Sequence, residues 1–250
     1  MGGTDIKSIF LPMAKLFPAD IESVSPQQWI TDAALMHWFD SIRERLEAET
    51  ECMKRTVAVI NPSVVEVVRQ TSASHLATFG LDLNKRHLIF VPVADDAHVG
   101  GSHWYMLVIF NIFRFKEKRL LMSLLQDLCK DPDSRVRKSK HRLRRIRSAS
   151  LRSSFDDILG VVFDSQRVSP LPADLQGLYC RLCSCIAHER SVSRRIRYGP
   201  LTSSYVSQQG NTYDCGIFLL IFAEHLLKWH IRYLHRMSCS SSLGETQARF

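Results

Sequence analysis

A cysteine that attacks a carbonyl needs its thiolate favoured, a base to carry the proton, and donors for the oxyanion that forms. Cys215 stands where several of these needs can be met. It lies in Asn211-Thr212-Tyr213-Asp214-Cys215-Gly216, directly before an apolar run from Ile217 to Ala223 that reads as a buried helix. Asp214 suits a helix N-cap, which puts Cys215 in the first turn. The unpaired N–H groups and partial positive charge of a helix start favour a thiolate and can hold an oxyanion. Gly216 leaves room for close approach. The plainer alternative is a packed cysteine ahead of a core helix.

His103 is the histidine best placed to serve as base. It follows Gly100-Gly101-Ser102 and opens the apolar strand Trp104-Tyr105-Met106-Leu107-Val108. A strand mouth leaves an imidazole accessible yet aimed. Asp164 has the matching place, because Val161-Val162-Phe163 reads as a strand and Asp164-Ser165 as its exit. If the two strands are neighbours, Asp164 can accept a hydrogen bond from His103, hold its tautomer and stabilise the imidazolium. Asp156 and Asp157 are rivals; the preceding strand and the following Ser165 favour Asp164. Each residue alone has an ordinary alternative, a strand-edge histidine or a turn aspartate.

The elements that must position these groups come in the order helices, strands, helices, an α+β pattern. Ser25-Pro26 opens a helical pattern through Trp29, Ile30, Ala33, Leu35, Met36 and Phe39. Thr56 to Ile60 reads as a short strand, and Asn61-Pro62 as the start of a helix. Leu88 to Val93, Trp104 to Phe113 and Ile158 to Phe163 read as strands. Leu171 to Ala187 is helical by period, and Arg194 to Tyr198 is a further strand candidate. Pro200 to Gly210 reads as a loop, Ile217 to Tyr233 as a long central helix, and the residues from Ser238 as a loose tail.

Composition sets outer limits. The chain has 250 residues, 45% hydrophobic and 23% charged, an ordinary globular balance. No run approaches the roughly 20 apolar residues of a membrane span. The first residues lack the charged start and apolar stretch of a secretion signal. Seven cysteines without framework spacing read as free thiols of a reducing compartment. The net charge is +8, but nine cations lie between Arg135 and Arg152, and removing them leaves −1. The basic character therefore belongs to one segment, which argues against a nucleic-acid-binding fold. That run suits a solvated loop or an import signal, and Ser148 and Ser150 sit three residues after arginines, as basophilic kinases prefer. Cys180-x-x-Cys183-x-Cys185-x-x-His188 invites a zinc reading. On a helix, however, Cys185 points away from the other two cysteines, so no metal site is expected.

Taken together, His103-Trp104, Asp164-Ser165 and Gln209-Gly210-Asn211-Thr212-Tyr213-Asp214-Cys215-Gly216 resemble the ubiquitin-like-protein-specific cysteine proteases, the sentrin/SUMO protease family. The order His, Asp, Gln, Cys is that family's order. The resemblance implies an α+β, papain-like protease of the ubiquitin-like protease type. Its central mixed sheet is flanked by helices, and its nucleophile lies at the N-terminus of a buried helix. It implies Cys215 as nucleophile, His103 as base then acid, and Asp164 as orienter. Gln209 would give the side-chain donor of the oxyanion hole. Trp29-Ile30-Thr31-Asp32 resembles the family's Trp-Leu-Asn-Asp segment, so Trp29 and Trp104 would enclose a Gly-Gly tail that any Cβ would block. No metal or organic cofactor is implied.

Within the family, the residues around Asn84 to Arg86, Val99 to Trp104 and Gln209 to Gly216 are most similar to the deneddylase branch, in which Asp32 would contact the modifier's tail. The implied function is cleavage after the C-terminal Gly-Gly of a Nedd-type modifier. Both precursor maturation and removal from lysines, for example on cullins, would follow. A SUMO-specific protease and a non-catalytic modifier-binding module are the alternatives, and an acyltransferase would leave the tryptophan pair unexplained. The implied domain spans 20–235, after an extension at 1–19 and before a tail at 236–250. A basic, disordered insertion at about 116–156 would lengthen the connection between His103 and Asp164, which family members usually keep short. Only 35 residues follow Cys215, where the branch usually adds a helix. A nuclear import receptor would read Arg135 to Arg152, and the cytoplasm, the nucleus or both would be the location.

Overall fold

In the computed structural model, the described residues are 16–25, 27–47, 56–71, 83–95, 103–115, 121, 123–124, 157–166, 173–188, 198–204, 206, 208–211 and 213–247. They build a mixed sheet of five strands in the order β1-β2-β3-β4-β5. These are β1 (Val57–Val59), β2 (Leu88–Ala94), β3 (Trp104–Phe110), β4 (Leu159–Phe163) and β5 (Thr202–Ser203). The central strands β2, β3 and β4 are antiparallel, and the outer strands β1 and β5 run parallel to their neighbours.

The three central strands are buried along almost their whole length. This explains why they read as unbroken apolar runs: both faces are covered. Side chains still alternate. Trp104, Met106, Val108 and Phe110 of β3 join one core, and Tyr105, Leu107 and Ile109 join the other. The first core is closed by α2 (Asp32–Glu47) and α5 (Cys215–Gln247). The second is closed by α3 (Pro62–Gln70) and α4 (Ala173–His188). On α4, Leu175, Leu178, Tyr179, Leu182, Cys183 and Ile186 are buried, the stripe that a 3.6-residue period presents to one side. α3 starts as read, with Pro62 in the first turn and the Asn61 side chain accepting from the N–H of Ser63 at 2.9 Å.

The structure differs from the sequence reading at several element ends. The helix expected from Ser25-Pro26 begins at Asp32, after a short helix α1 (Pro18–Glu22). Thr31 provides the cap: its Oγ1 accepts from the N–H of Ala34 at 3.2 Å and donates to Asp20 at 2.7 Å. Gln27 adopts a φ of 64°, which turns the chain just before this start. Trp29 and Ile30 therefore lie in an extended segment ahead of the helix. Strand β3 ends at Phe110, and Ile112–Arg114 form a 3-10 turn. Within the expected loop from Pro200, Thr202–Ser203 pair with β4. Of the strand expected from Arg194 to Tyr198, only Tyr198 is described, and it bridges Ile158.

Two corrections concern the domain edges. Residues 236–247 are not a loose tail, because α5 continues as helix to Gln247, giving 33 residues and a length of about 50 Å. The serines at 238 and 240–242 carry no strong stop signal, and a helix once nucleated extends at low cost. The basic run at Arg135 to Arg152 lies outside the described residues, but the start of the insertion is part of the body: Leu121 is fully buried in the first core. Among the described residues, no helix is long and apolar enough to cross a membrane.

On the buried side of α5, His230 is fully buried, with Nε2 at 3.0 Å from Thr56 Oγ1 and its ring 5.3 Å from that of His87. Burial, helped by the Arg114 charge, pushes His87 down to about 4. Burial, helped by His87, pushes His230 down to about 3. Both are neutral in the fold, whereas the unfolded chain takes up their protons near pH 6.5. Their contribution is complete above pH 6.5 and is lost as pH falls toward 4, at up to about 1.4 kcal/mol per pH unit for each histidine. Urea unfolding at pH 7, 6 and 5 should show the midpoint falling across this range, with His230→Phe reducing the slope; an unchanged midpoint between pH 6.5 and 5 would contradict it.

Candidate active site

The register of the central strands brings the first pair of candidate residues together. Met106 is opposite Phe163 and Phe110 is opposite Leu159. His103 immediately precedes β3, three residues before Met106, and Asp164 immediately follows β4 after Phe163. Both therefore leave the same edge of the sheet. The His103 Nε2 to Asp164 Oδ1 distance is 2.7 Å, between groups 61 residues apart in sequence. The His103 backbone is pinned as well: its N–H donates to Asp95 Oδ1 at 2.7 Å, and its carbonyl accepts from the N–H of Asp95 at 2.9 Å. Its ring stands edge-on to Tyr105 at 4.6 Å. Asp164 Oδ1 also accepts from the N–H of Gln166 at 2.8 Å, which holds the carboxylate at the strand exit. Asp157, the described rival, is nearly buried at the opposite end of β4, where its carbonyl accepts from the N–H of Phe113.

Cys215 begins α5 and is fully buried. The carbonyl of Asp214 accepts from the N–H of Phe218 at 3.0 Å, so Asp214 occupies the cap position and Cys215 the first helical one. The N–H groups of that first turn have no acceptor within the helix. Asn211 folds the loop before it. Its Oδ1 accepts from the N–H groups of Tyr213 (3.1 Å) and Asp214 (2.9 Å), and its Nδ2 donates to Asp214 Oδ2 at 2.6 Å.

The imidazole connects these groups electrostatically. Burial alone would lower the pKa of His103. The hydrogen bond to Asp164, with the negative charge that Asp164 and Cys215 can carry, outweighs burial and raises it to about 9. Nε2 is taken by Asp164, and Nδ1 is buried with no hydrogen-bond partner, so the ring senses the Cys215 thiol through charge rather than through a formed hydrogen bond. At neutral pH the ring is then an imidazolium held by Asp164, the charge state from which a histidine can donate to a leaving group.

Gln209 is half-buried beside this pair. Its N–H donates to the carbonyl of Ser165 at 2.9 Å, its Oε1 accepts from Ser165 Oγ at 2.5 Å, and its Nε2 donates to the carbonyl of Asn211 at 2.7 Å. Trp104 is buried at 4% exposure, and its indole N–H donates to the carbonyl of Ile30 at 3.3 Å. Trp29 is half-buried against the first core, and Asp32 is exposed at the start of α2. In this structure Trp104 thus ties the Trp29–Thr31 segment to β3. A groove of about 360 Å³ runs beside the start of α5, lined by Ser23, Val24, Ile30, Tyr213, Asp214 and Ile217 among others.

Sequence reasoning did not single out Asp95, Ser165, Asn211 or Ile30 for their positioning contacts. An aspartate at a strand exit and an asparagine three residues before a helix cap are ordinary turn residues. Only the pairing shows what they hold. Of the cysteines weighed for zinc, Cys183 and Cys185 are buried while Cys180 is partly exposed. Burial pushes the Cys183 thiol up. Among the described residues, no group of three or more histidines, cysteines or carboxylates could hold a metal ion.

Residues 28–233 match the family model for the Ulp1 protease family, C-terminal catalytic domain. Three solved structures share the fold. A de-sumoylating protease has a TM-score of 0.57 at 15% identity, over 87% of this chain and 70% of its own. The SUMO protease Ulp1 with its catalytic cysteine oxidized to a sulfonic acid has a TM-score of 0.52 at 13% identity, over 89% and 82%. The Xanthomonas campestris effector XopD bound to ubiquitin has a TM-score of 0.51 at 15% identity, over 91% and 84%. No curated protein sequence matches the chain.

The junction around Gly216 gives a direct test of how the thiol is seated. A Cβ on Gly216 would come within 1.9 Å of Ile30 Cγ2 and 3.7 Å of Trp104 Cδ1. Gly216→Ala should therefore cost about 1–3 kcal/mol in urea unfolding through overpacking. Adding Ile30→Ala, which removes that methyl, should return part of the loss. A Gly216→Ala protein as stable as wild type would show that the junction is not tight.

Proposed function

Because this chain belongs to the Ulp1 protease family, and so carries a cysteine protease domain, we propose that it hydrolyses the bond after the C-terminal Gly-Gly of a ubiquitin-like modifier. The observation that carries this reading is the 2.7 Å contact between His103 and Asp164, with Cys215 interacting with the same imidazole at the start of a buried helix. The Cys215 thiolate attacks the carbonyl carbon of the terminal glycine. The Gln209 side-chain amide and the Cys215 backbone N–H hold the oxyanion. As the C–N bond breaks, the His103 imidazolium gives its proton to the departing amine, leaving a thioester. Neutral His103 then takes a proton from water, the hydroxide attacks the thioester, and the C–S bond breaks to return the thiolate. Asp164 accepts from His103 throughout and keeps the ring oriented.

The burial of Cys215 and the packing of Ile30 and Trp104 around Gly216 support a substrate that enters as a thin chain without side chains. Trp29 and Trp104 would border that path, with Asp32 meeting the tail. The Nedd-type modifier is the preferred substrate, on the motif similarity of residues 84–86, 99–104 and 209–216. Its precursor would be matured, and conjugates such as cullins would be cleaved at lysine. The SUMO-type modifier is the second reading, favoured by two structural relatives that are a de-sumoylating protease and a SUMO protease. Free thiols at Cys180, Cys183, Cys185 and Cys215 support a reducing compartment, the cytoplasm or the nucleus. Arg135 to Arg152 would engage an import receptor.

The test uses C-terminal electrophilic probes built on the Nedd-type modifier, SUMO and ubiquitin, with adducts read by intact mass on wild type and Cys215→Ala. One adduct with the Nedd-type probe, absent in Cys215→Ala, is the expected result. An adduct with SUMO alone would overturn the preferred modifier and keep the chemistry. No adduct with any probe from folded protein would overturn the protease reading and favour binding without cleavage.

A further inference from the structure

Ser165 takes no part in the chemistry described so far, yet it is fully buried beside two groups that do. It follows Asp164 at the exit of β4. From there its hydroxyl donates to Gln209 Oε1 at 2.5 Å, and its carbonyl accepts from the Gln209 N–H at 2.9 Å. At the other end of the same amide, Gln209 Nε2 donates to the carbonyl of Asn211 at 2.7 Å. A carbonyl can only accept, and the Ser165 hydroxyl has a proton to give. The two partners therefore admit one orientation of the amide, with Oε1 toward β4 and the NH₂ group toward the loop that leads into Cys215. One amide hydrogen is used by Asn211. The second has no acceptor among the described residues, so it is available to an oxyanion. The neighbouring Gln208 cannot do this, because its Nε2 donates to the carbonyls of Asp164 (3.2 Å) and Val206 (2.8 Å).

We propose that Ser165 is a positioning residue for the oxyanion donor: its buried hydroxyl fixes the Gln209 amide so that Nε2–H faces the reacting carbonyl. Asp164 and Ser165 then divide the work of one strand exit, the first orienting the base and the second orienting the donor. The inference rests on the reading of Gln209 as an oxyanion donor.

The experiment compares wild type with Ser165→Ala, Ser165→Cys, Gln209→Ala and the Ser165→Ala/Gln209→Ala pair. The substrates are C-terminal fluorogenic amides of the Nedd-type modifier and SUMO. The readouts are kcat, KM, melting temperature and the rate of Cys215 alkylation by iodoacetamide. Alkylation displaces iodide at a saturated carbon and forms no oxyanion, so it reports the Cys–His pair alone. Ser165→Ala should lower kcat by about 10- to 100-fold, as expected of a mispositioned catalytic group. KM and the alkylation rate should be unchanged, and Ser165→Ala should add nothing once Gln209 is alanine. Ser165→Cys, nearly the same size but a weak donor, should fall between, and it carries the test if Ser165→Ala does not fold. Wild-type kcat in both Ser165 variants, with Gln209→Ala slow, would overturn the proposal. So would a parallel loss of kcat and alkylation, which would place Ser165 with the His103–Asp164 pair. Wild-type kcat in Gln209→Ala is the separate result that removes the oxyanion reading itself, and the proposal with it.

Discussion

The hydrogen bond between His103 and Asp164 is the constraint on which the rest of the site depends. It forms only if β3 and β4 pair antiparallel with Met106 opposite Phe163. A slip of one residue would exchange the faces of every β4 side chain, moving Val161 and Phe163 out of one core and Val162 out of the other. The cost of that slip in buried apolar surface is far larger than any single polar contact contributes. The register is thus set by the two cores, and the His103–Asp164 geometry follows from it at no further cost. This is also why the 61-residue separation matters little. Loop-closure entropy grows only with the logarithm of length, so a long connection leaves the strand pairing intact.

The second requirement is to bring the thiol to that edge. α5 does so by packing Leu219, Ala223, Leu226 and Leu227 against the same face of the sheet that receives Met106 and Phe163. Its first turn is held at a three-way junction. Trp104 anchors the carbonyl of Ile30, Ile30 presses on Gly216, and Thr31, held by Asp20, caps α2 behind them. Asp20 is itself kept ionised by the N–H of Phe17 and the Thr31 hydroxyl, which lower its pKa. The site is therefore assembled from Asp20 and the Trp29–Thr31 segment, from Asp95 with His103 and Trp104, from Asp164 and Ser165, and from Gln209, Asn211 and Asp214 to Gly216, and no one of them could hold it alone.

The strands were readable because they are buried on both faces, so their residues form continuous β-branched and aromatic runs with breaks at Asp95 and Asp164. Cys215, His103 and Asp164 stood out because each sits where such a run starts or stops. The chain did not disclose the true start of α2. A Ser-Pro signal competes there with a Thr31 cap whose worth comes from Asp20, eleven positions away. It did not disclose β5 either, since two residues carry no period and their pairing with β4 is decided by the fold. The continuation of α5 past Tyr233 was missed because serines suggest a tail, whereas extending a packed helix needs little local propensity. Trp104 illustrates a subtler gap. Its type and position were evident, but not that its indole N–H would be spent on Ile30.

The central claim is that His103 is an imidazolium held by Asp164 at neutral pH. Histidine-selective ¹⁵N NMR of the wild-type protein, with His103 assigned through a His103→Gln spectrum, measures this directly. The expected spectrum at pH 7.5 shows both His103 nitrogens protonated, with the ring losing its proton only as pH rises through about 9. A His103 ring that is neutral at pH 7.5, titrating at or below the ordinary value of about 6.5, would show that its partners do not outweigh burial, and the site as built here would not stand.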